Sequence, residues 1–407
     1  MEVMYPICCG LDVHQAQVTA CLRKAKGNKV TIKRAEFSTT TDGLLNLLNW
    51  LLKEGCSVVG MESTGIYWKP VYHILSTKIK VILGNARDIR HIPGRKTDKS
   101  DAKWIAELLA HGLIRDSFIP PPNISALRDL TRTRVQFVNM RTQAKNRIHK
   151  TLEDSNIKLS SVVSDVFGKS GRNMLKALIS GYNDPKGLAQ MAKGIMRRKI
   201  PQLELALKGS FTAHHAALIQ LSLDQVELFD KQIMQIDEQI VKLTGAMEME
   251  LMQIISIPGV KTTAAQGIVG EIGLDMSRFV DASRLASWAG LAPGNNESAG
   301  KHRSGKTPKG NKWLRRMLVQ CAWAAGKTDS FLGNTFRRLE KRIGKKKAAV
   351  AVAHKILVII YHLLTEGVFY QEERYLKTAK QGEERRLKYA LKLLKANGYK
   401  VADQQTA

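Results

Sequence analysis

The chain has 407 residues, 44% hydrophobic and 25% charged, which is enough for two to three globular domains and excludes a disordered or fibrous protein. The 64 Lys and Arg outnumber the 36 Asp and Glu and give a net charge of +28. Residues 301–407 alone carry 25 Lys and Arg against 8 Asp and Glu. Such an excess of positive charge favours binding to a polyanion, so nucleic acid is the first partner to consider.

The cysteines and the apolar stretches indicate a reduced, cytoplasmic protein. None of the five cysteines forms a CxxC pair, so we expect free thiols and neither disulfides nor a zinc site. The N-terminus lacks the basic flank of a signal peptide and is predicted to be a strand. The apolar run Ala348–Leu364 contains His354, Lys355 and His362 and is shorter than the roughly 20 residues of a membrane span. It is predicted to be a buried helix.

The first hundred residues have the pattern of a mixed α/β sheet. Helices are predicted at Asp42–Lys53 and, after the last strand, at about Ala102–Leu109. Three strands in series followed by alternating helix and strand indicate that the first strands are antiparallel. This strand order is typical of ribonuclease-H-like nucleases. The predicted strands are Ile7–Val13, Val18–Leu22, Val30–Ala35, Ser57–Met61 and Lys78–Leu83.

Four carboxylates in this region could bind metal ions. Asp12 lies in an otherwise apolar strand, where a lone charge costs several kcal/mol unless it is paired, protonated or bound to a metal. Glu62 ends a second apolar strand, and Asp98 and Asp101 share one face at the start of a helix. Ligation by oxygen alone favours Mg²⁺ or Mn²⁺ over zinc. The alternative is that the two helix acids only favour the helix N-terminus and that the two strand acids are solvated.

A proline-rich segment, Ile119–Asn123, breaks the regular structure, and the sequence beyond it is helical. Residues 125–152 form a helix with one apolar side and one basic side. Further on, apolar residues are spaced alternately three and four apart, which is the seam of a helix pair. That seam fits packing within the chain and an intermolecular coiled coil equally well. Its members are Val226, Phe229, Ile233, Ile236, Ile240 and Leu243.

The segment Ile257–Ala265 has the pattern of a helix-hairpin-helix motif. In such a hairpin, backbone amides at a helix N-terminus hold a phosphate without recognising the base sequence. Lys261 stands where the motif usually has its second glycine. The segment could also be an ordinary turn between packed helices.

A second polar constellation surrounds Ser298. Gly300–Thr307 has the spacing of a phosphate-binding P-loop, but no hydrophobic strand precedes it and Pro308 interrupts the helix that should follow, so we reject that interpretation. The segment is instead predicted to be a loop of small residues that approaches a phosphodiester closely. On the residues alone, Ser298 could be only a turn residue. The surrounding cations are Lys301, Arg303, Lys306, Lys309, Arg315 and Arg316.

Over about its first 330 residues, the chain resembles the DEDD transposases of bacterial insertion sequences, the insertion-sequence one-ten family. The resemblance implies that the metal-binding set of a Holliday-resolvase-like domain comprises Asp12, Glu62, Asp98 and Asp101. It also implies that Ser298 is a nucleophile that forms a transient phosphoserine link to DNA. The matching strings are Gly10–Val13, Met61–Trp68, Lys96–Ala102, and the block from Ala289–Pro293 through Ser298–Lys301 to Leu314–Arg316.

The resemblance further implies partners and an assembly. Such enzymes act as dimers and tetramers joined through the helical region, with the serine of one subunit completing the carboxylate site of another. They use a structured RNA, encoded by the element, that pairs with donor and target DNA. Ala299 replaces a glycine that is common in the family, a small-for-small change. The basic C-terminal region resembles that of the subgroup with longer C-termini.

We therefore predict an α/β plus α protein in four parts. Residues 1–155 form the ribonuclease-H-like domain, 156–245 a helical or coiled-coil region, 246–335 the mostly helical serine-bearing domain, and 336–407 a basic helical extension. The predicted function is a DNA transposase or recombinase that cleaves, exchanges and rejoins strands at the element ends and the target. The alternatives are a metal-dependent junction endonuclease that uses water, and a noncatalytic nucleic-acid-binding protein.

Overall fold

The computed structural model describes residues 3–27, 29–63, 65–86, 89, 101–294, 296–298 and 301–396. The chain divides into two compact units, residues 1–119 and residues 120–407. The four-part division expected from the sequence stays a prediction. Asp98, one of the four predicted acids, lies outside the described residues.

The first unit is built on a five-stranded mixed sheet with the order β3-β2-β1-β4-β5. The first three strands pair antiparallel, and β1 pairs parallel with β4, which pairs parallel with β5. The predicted mixed sheet with antiparallel first strands is therefore confirmed. The strands are β1 Ile7–Val13, β2 Gln17–Lys26, β3 Lys29–Ser38, β4 Val58–Glu62 and β5 Lys80–Gly84, and the helices are α1 Thr41–Lys53, α2 Trp68–Leu75 and α3 Asp101–Ala110.

Two of these strands are longer than the sequence predicts. The chain reverses at Gly27, whose φ of 57° suits glycine, so Lys26 still pairs with Lys29. The sequence predicts that β2 ends at Leu22 because three of the next four residues are charged, and that β3 ends at Ala35 because Glu36 and Ser38 are polar. β3 is an exposed edge strand, and lysines and arginines on such an edge discourage pairing with other chains.

Side chains along β1 alternate between two cores because the pleat has a period of two. Cys9 and Leu11 belong to the core that contains the apolar residues of α1 and α2. Cys8 belongs to the other core, with Ile105 and Leu109 of α3. The sheet therefore lies between α1 and α2 on one face and α3 on the other.

Within its described residues, the second unit is helical apart from one short hairpin. Its two long helices extend over 33 and 32 residues. Three short 3-10 helices lie at Gly194–Lys199, Gly245–Met247 and Met276–Arg278. The α-helices are α4 Pro122–Asp154, α5 Leu159–Val162, α6 Lys169–Ile179, α7 Pro185–Gln190, α8 Ile200–Ala206, α9 Ala213–Thr244, α10 Glu248–Ile255, α11 Thr262–Ile272, α12 Ala282–Trp288, α13 Lys312–Ala325, α14 Phe331–Ile343, α15 Lys345–Glu366 and α16 Glu372–Ala396, and the hairpin strands are β6 Asn296–Ser298 and β7 Lys301–Ser304.

The apolar seam of α9 packs against α4 of the same chain. The rings of Phe137 and Phe229 are 5.9 Å apart, and Arg141 donates to Asp230 at 2.6 Å. Arg134 likewise donates to Asp237 at 2.5 Å. Of the two alternatives that the spacing leaves open, packing within the chain is therefore the one observed.

The helices beyond residue 336 share a core with the region that precedes them. Val352 and Ile356 of α15 belong to the same buried cluster as Ala265, Leu314 and Leu318. The predicted buried helix at 348–364 is thus confirmed, and it completes the core of the serine-bearing region. α15 also has the length and apolar composition of a membrane span, but half of its most apolar window is buried inside the chain.

Candidate active site

Asp12 and Glu62 lie side by side at one end of the sheet. Leu11 and Met61 are partners in the parallel β1–β4 register, and Asp12 and Glu62 follow them in their strands. Adjacent strands are about 4.8 Å apart, so the two acids are direct neighbours across the two strands. The pleat places both on the face that α3 covers.

Gly10 brings α3 against this face. A Cβ atom on Gly10 would lie 2.1 Å from the carbonyl oxygen of Ala102 and 2.4 Å from the backbone nitrogen of Ala106, so only glycine permits this contact. Asp101, the first residue of α3, therefore begins its helix near the sheet end that carries Asp12. Three of the four predicted acids are thus brought to one corner of the first unit.

The donor chemistry of this corner fits a hard divalent cation. All three acids offer carboxylate oxygens, which Mg²⁺ and Mn²⁺ prefer. Asp12 contacts the Nε2 atom of His14 at 3.3 Å, and its side chain is partly exposed. Within the part of the chain that the structure describes, no three His, Cys, Asp or Glu side chains already form a metal-binding group.

We expect Gly10→Ala to impair the carboxylate corner without removing any acid. The added methyl group must push α3 away from β1, which costs about 1–3 kcal/mol of stability and displaces Asp101. Gly245→Ala is the matched control, because a Cβ atom there meets nothing within 4 Å. Urea unfolding and the rate of metal-dependent DNA cleavage would be measured for both variants. Wild-type cleavage by Gly10→Ala would contradict the placement of α3.

Ser298 is the last residue of the short strand β6 in the second unit. It pairs with Lys301 of β7, so the predicted loop is in fact a β-hairpin. The sequence prediction missed these strands because they are short and consist of polar and small residues. No helix begins at Thr307, since α13 starts only at Lys312, in keeping with the rejection of a P-loop.

The base of this hairpin is held by backbone contacts. Gly290, with φ of 70°, packs against Gly310 so closely that a Cβ atom on either would clash with the backbone of the other. Arg315 donates to the carbonyl oxygen of Gly290 and, at 2.8 Å, to the hydroxyl of Thr307. Arg315, which we predicted to bind nucleic acid, thus has a structural role at the base of the hairpin.

The other predicted cations differ in their exposure and in their contacts. Lys261, Lys306 and Lys309 are exposed. Arg316 is exposed and donates to Asn139 of α4 at 3.1 Å. Lys301 and Arg303 are residues of strand β7, which pairs with the strand that contains Ser298. All of the predicted cations, Arg315 included, stay predicted contacts to phosphate.

The predicted helix-hairpin-helix has its two helices, α10 and α11, on either side of the turn at Gly259. Gly259 has φ of 88°, and a Cβ atom there would lie 2.5 Å from the backbone nitrogen of Ala325. The turn is therefore packed against the end of α13. Lys261 occupies the N-cap position of α11 and is exposed.

The sequence prediction missed a buried ionic network around Glu271. This carboxylate is only 1% exposed, and Arg132 donates two hydrogen bonds to it, both at 2.7 Å. Asn311 donates to it at 2.6 Å and also caps α13 by accepting from the backbone of Trp313 and Leu314. A single glutamate within the apolar helix α11 is the sequence signal that could have revealed it.

Comparison with known proteins agrees with the geometry. Residues 9–157 match the model of a DEDD transposase of the IS110 type, and residues 252–334 match the transposase IS116/IS110/IS902 family. Both matches describe transposases, enzymes that act on DNA. The chain belongs to the IS110 family of insertion-sequence transposases.

Curated relatives extend the similarity over most of the chain. The transposase for insertion sequence element IS1111A of Coxiella burnetii is 24% identical over 352 residues, which cover 84% of each chain. The transposase for insertion sequence element IS1328 of Yersinia enterocolitica is 22% identical over 378 residues, which cover 89% of this chain and 98% of the relative. A pilin gene-inverting protein of Moraxella lacunata is 29% identical over 151 residues, 35% of this chain and 47% of the relative.

Proposed function

We propose that the chain is a cytoplasmic serine recombinase that cleaves, exchanges and rejoins DNA strands to move its insertion sequence. The observation that carries the proposal is the β1–β4 register, which aligns Asp12 with Glu62 beside the start of the helix of Asp101. A ribonuclease-H-like function of this domain would use that corner for phosphoryl transfer. A protein that only binds DNA would gain nothing from acids beside a polyanion.

In this proposal the acids Asp12, Glu62, Asp98 and Asp101 would hold Mg²⁺ or Mn²⁺. A bound divalent ion would lower the charge on the scissile phosphate and favour attack on it. Ser298 loses its proton as its Oγ atom forms a bond to phosphorus. The deoxyribose oxygen leaves and takes up a proton as a free hydroxyl. Rejoining reverses these steps with the hydroxyl of another strand, so no nucleotide cofactor is needed.

The chain's own cations would hold the DNA and the element-encoded RNA. Lys306 and Lys309 are exposed near the serine hairpin, where they would neutralise phosphates. The arginines of α4 contribute less, because Arg134 and Arg141 are paired with acids of α9. The resemblance adds that the guide is a structured RNA and that dimers or tetramers combine the serine of one subunit with the acids of another.

We expect Ser298→Ala to abolish a covalent protein–DNA adduct. The full chain would be incubated with Mg²⁺, the element's transcript and labelled DNA that carries the element ends and a candidate target. Denaturing electrophoresis should show a protease-sensitive shifted band for the wild type and none for Ser298→Ala, because the variant lacks the attacking oxygen. Both proteins should bind RNA and DNA equally.

Ser304→Ala is the matched control, because it removes a hydroxyl from the other strand of the same hairpin. It should retain the adduct. Cleavage that persists in Ser298→Ala, with no adduct in any protein, would replace the serine mechanism with hydrolysis by water. Binding with steep salt dependence but no cleavage by the wild type would indicate a noncatalytic nucleic-acid-binding protein.

A further inference from the structure

A large groove lies between α4, the turn of the helix-hairpin-helix and α13. Its volume is about 710 Å³, within the range of about 300–1,000 Å³ typical of small-molecule sites. All of its lining residues belong to the second unit, so the groove does not depend on how the two units are arranged. Neither the carboxylate corner nor the serine hairpin contributes to it.

The floor of the groove is apolar. Val135 and Val138 of α4, Val260 of the turn and Met317 of α13 line it. Cys321 also faces the groove, and burial raises the pKa of its thiol to about 11, so it is neutral at physiological pH. Water is a poor occupant of such a surface, whereas a flat, weakly polar ring suits it.

Cations and one aromatic ring border the same groove. Lys261 at the N-cap of α11 and Arg316 on α13 are both exposed. The guanidinium of Arg132, whose charge is paired with Glu271, lies 5.5 Å from the ring centre of Trp313, which also lines the groove. An apolar floor with a basic border complements a ligand that has an aromatic part joined to an anionic part. A nucleotide has this chemistry, with its base on one side and its phosphate on the other.

We propose that this groove binds one unstacked nucleotide of single-stranded DNA, with the base on the apolar floor and the phosphate at Lys261 and Arg316. A base inside a duplex could not enter a groove between helices, since it must first leave the stack. The proposal rests on the proposed function, because strand exchange is the step that separates strands and provides unpaired bases. An apolar floor and cations that contact phosphate do not distinguish one base from another, so no sequence preference is expected.

The test compares two short single-stranded probes, labelled thymidine hexanucleotide and the same sugar-phosphate chain without bases. Anisotropy with the full chain should show that the wild type binds the thymidine probe about tenfold more tightly, the effect of removing part of one base from water on the apolar floor. Ala324→Trp should remove this preference and leave binding of the abasic probe unchanged. Ala324 lines the groove and is exposed, so the larger ring fills the groove without entering the core.

Val280→Trp is the matched control. Val280 is 86% exposed and does not line the groove, so this variant adds the same ring elsewhere and should keep the tenfold preference. Lys261→Ala should weaken binding of both probes alike and reduce the salt dependence by about one phosphate contact.

Equal binding of the two probes by the wild type, or an unchanged preference in Ala324→Trp, would overturn the proposal. A concentration-dependent dimer that Ala324→Trp abolishes would overturn it in favour of a second copy of the chain. The binding assay contains neither metal nor element ends. Failure of the covalent chemistry in the Ser298→Ala experiment would therefore leave its result intact, and the two failures are distinguishable.

Discussion

Asp12→Asn should reduce metal-dependent DNA cleavage by about a thousandfold or more. The amide keeps the shape of the side chain but loses the negative charge that a divalent ion requires. Metal ions contribute several kcal/mol to phosphoryl transfer, and each 1.36 kcal/mol is a factor of ten in rate. DNA binding without metal should persist or strengthen, since a charge that repels phosphate is removed. Cleavage rates over a range of Mg²⁺ concentrations and binding in EDTA would be measured.

Asp42→Asn is the control for this charge change. Asp42 is an exposed acid in the first turn of α1, on the opposite face of the sheet from α3. The substitution alters net charge in the same unit, and we expect cleavage to stay near the wild-type rate. Full cleavage by Asp12→Asn, or equal losses in both variants, would refute the assignment of the metal site to this corner.

Glu271→Ala should destabilise the second unit by about 3–5 kcal/mol. The change removes a buried carboxylate and leaves the partly buried Arg132 and Arg128 without the acid that they face, and breaking one side of such an ion pair has this cost. It also removes the acceptor that positions Asn311, the cap of α13. For a unit of this size the midpoint of thermal unfolding should fall by about 10 °C. Calorimetry of the full chain would measure it.

Of two further variants, Glu271→Gln separates the effect of charge from that of hydrogen bonding, and Glu248→Ala is the control. Glu271→Gln keeps the volume and one acceptor oxygen, so its loss of stability should be smaller than that of Glu271→Ala. Glu248→Ala removes an exposed acid at the start of α10 and should change the free energy of unfolding by less than about 0.5 kcal/mol. An effect of Glu271→Ala as small as that of Glu248→Ala would show that the network does not stabilise the unit.

The local sequence pattern was sufficient to predict the strands that carry Asp12 and Glu62. The apolar run of β1 predicts its bounds, Ile7–Val13, as the structure has them. Asp12 stands out there because a charge is costly among buried neighbours. Strand β4 also ends at Glu62 in the structure, so the sequence indicates an acid at a strand end. That the two acids are level follows only from the parallel register.

The sequence pattern of a helix did not identify the element against which the helix packs. The seam of α9 has the same spacing whether its partner is α4 or another chain, and the contact of Phe137 with Phe229 decides between them. The arginines of α4 form a basic face in sequence, yet Arg132 and Arg134 pair with acids more than 100 residues away. Charge counted along a chain therefore overstates the charge offered to DNA.

The sequence by itself determined the alternation of strands and helices, the strong positive charge, the candidate acids and the family resemblance, because each depends on neighbouring residues or on ordered motifs. Only the tertiary structure decided the β1–β4 register, the structural role of Arg315 and the buried network of Glu271. These depend on contacts between residues far apart in the chain. Hydrophobic periodicity predicts which side of a helix or strand is buried. Which other helix or strand covers that side depends on how the elements pack together in the folded protein.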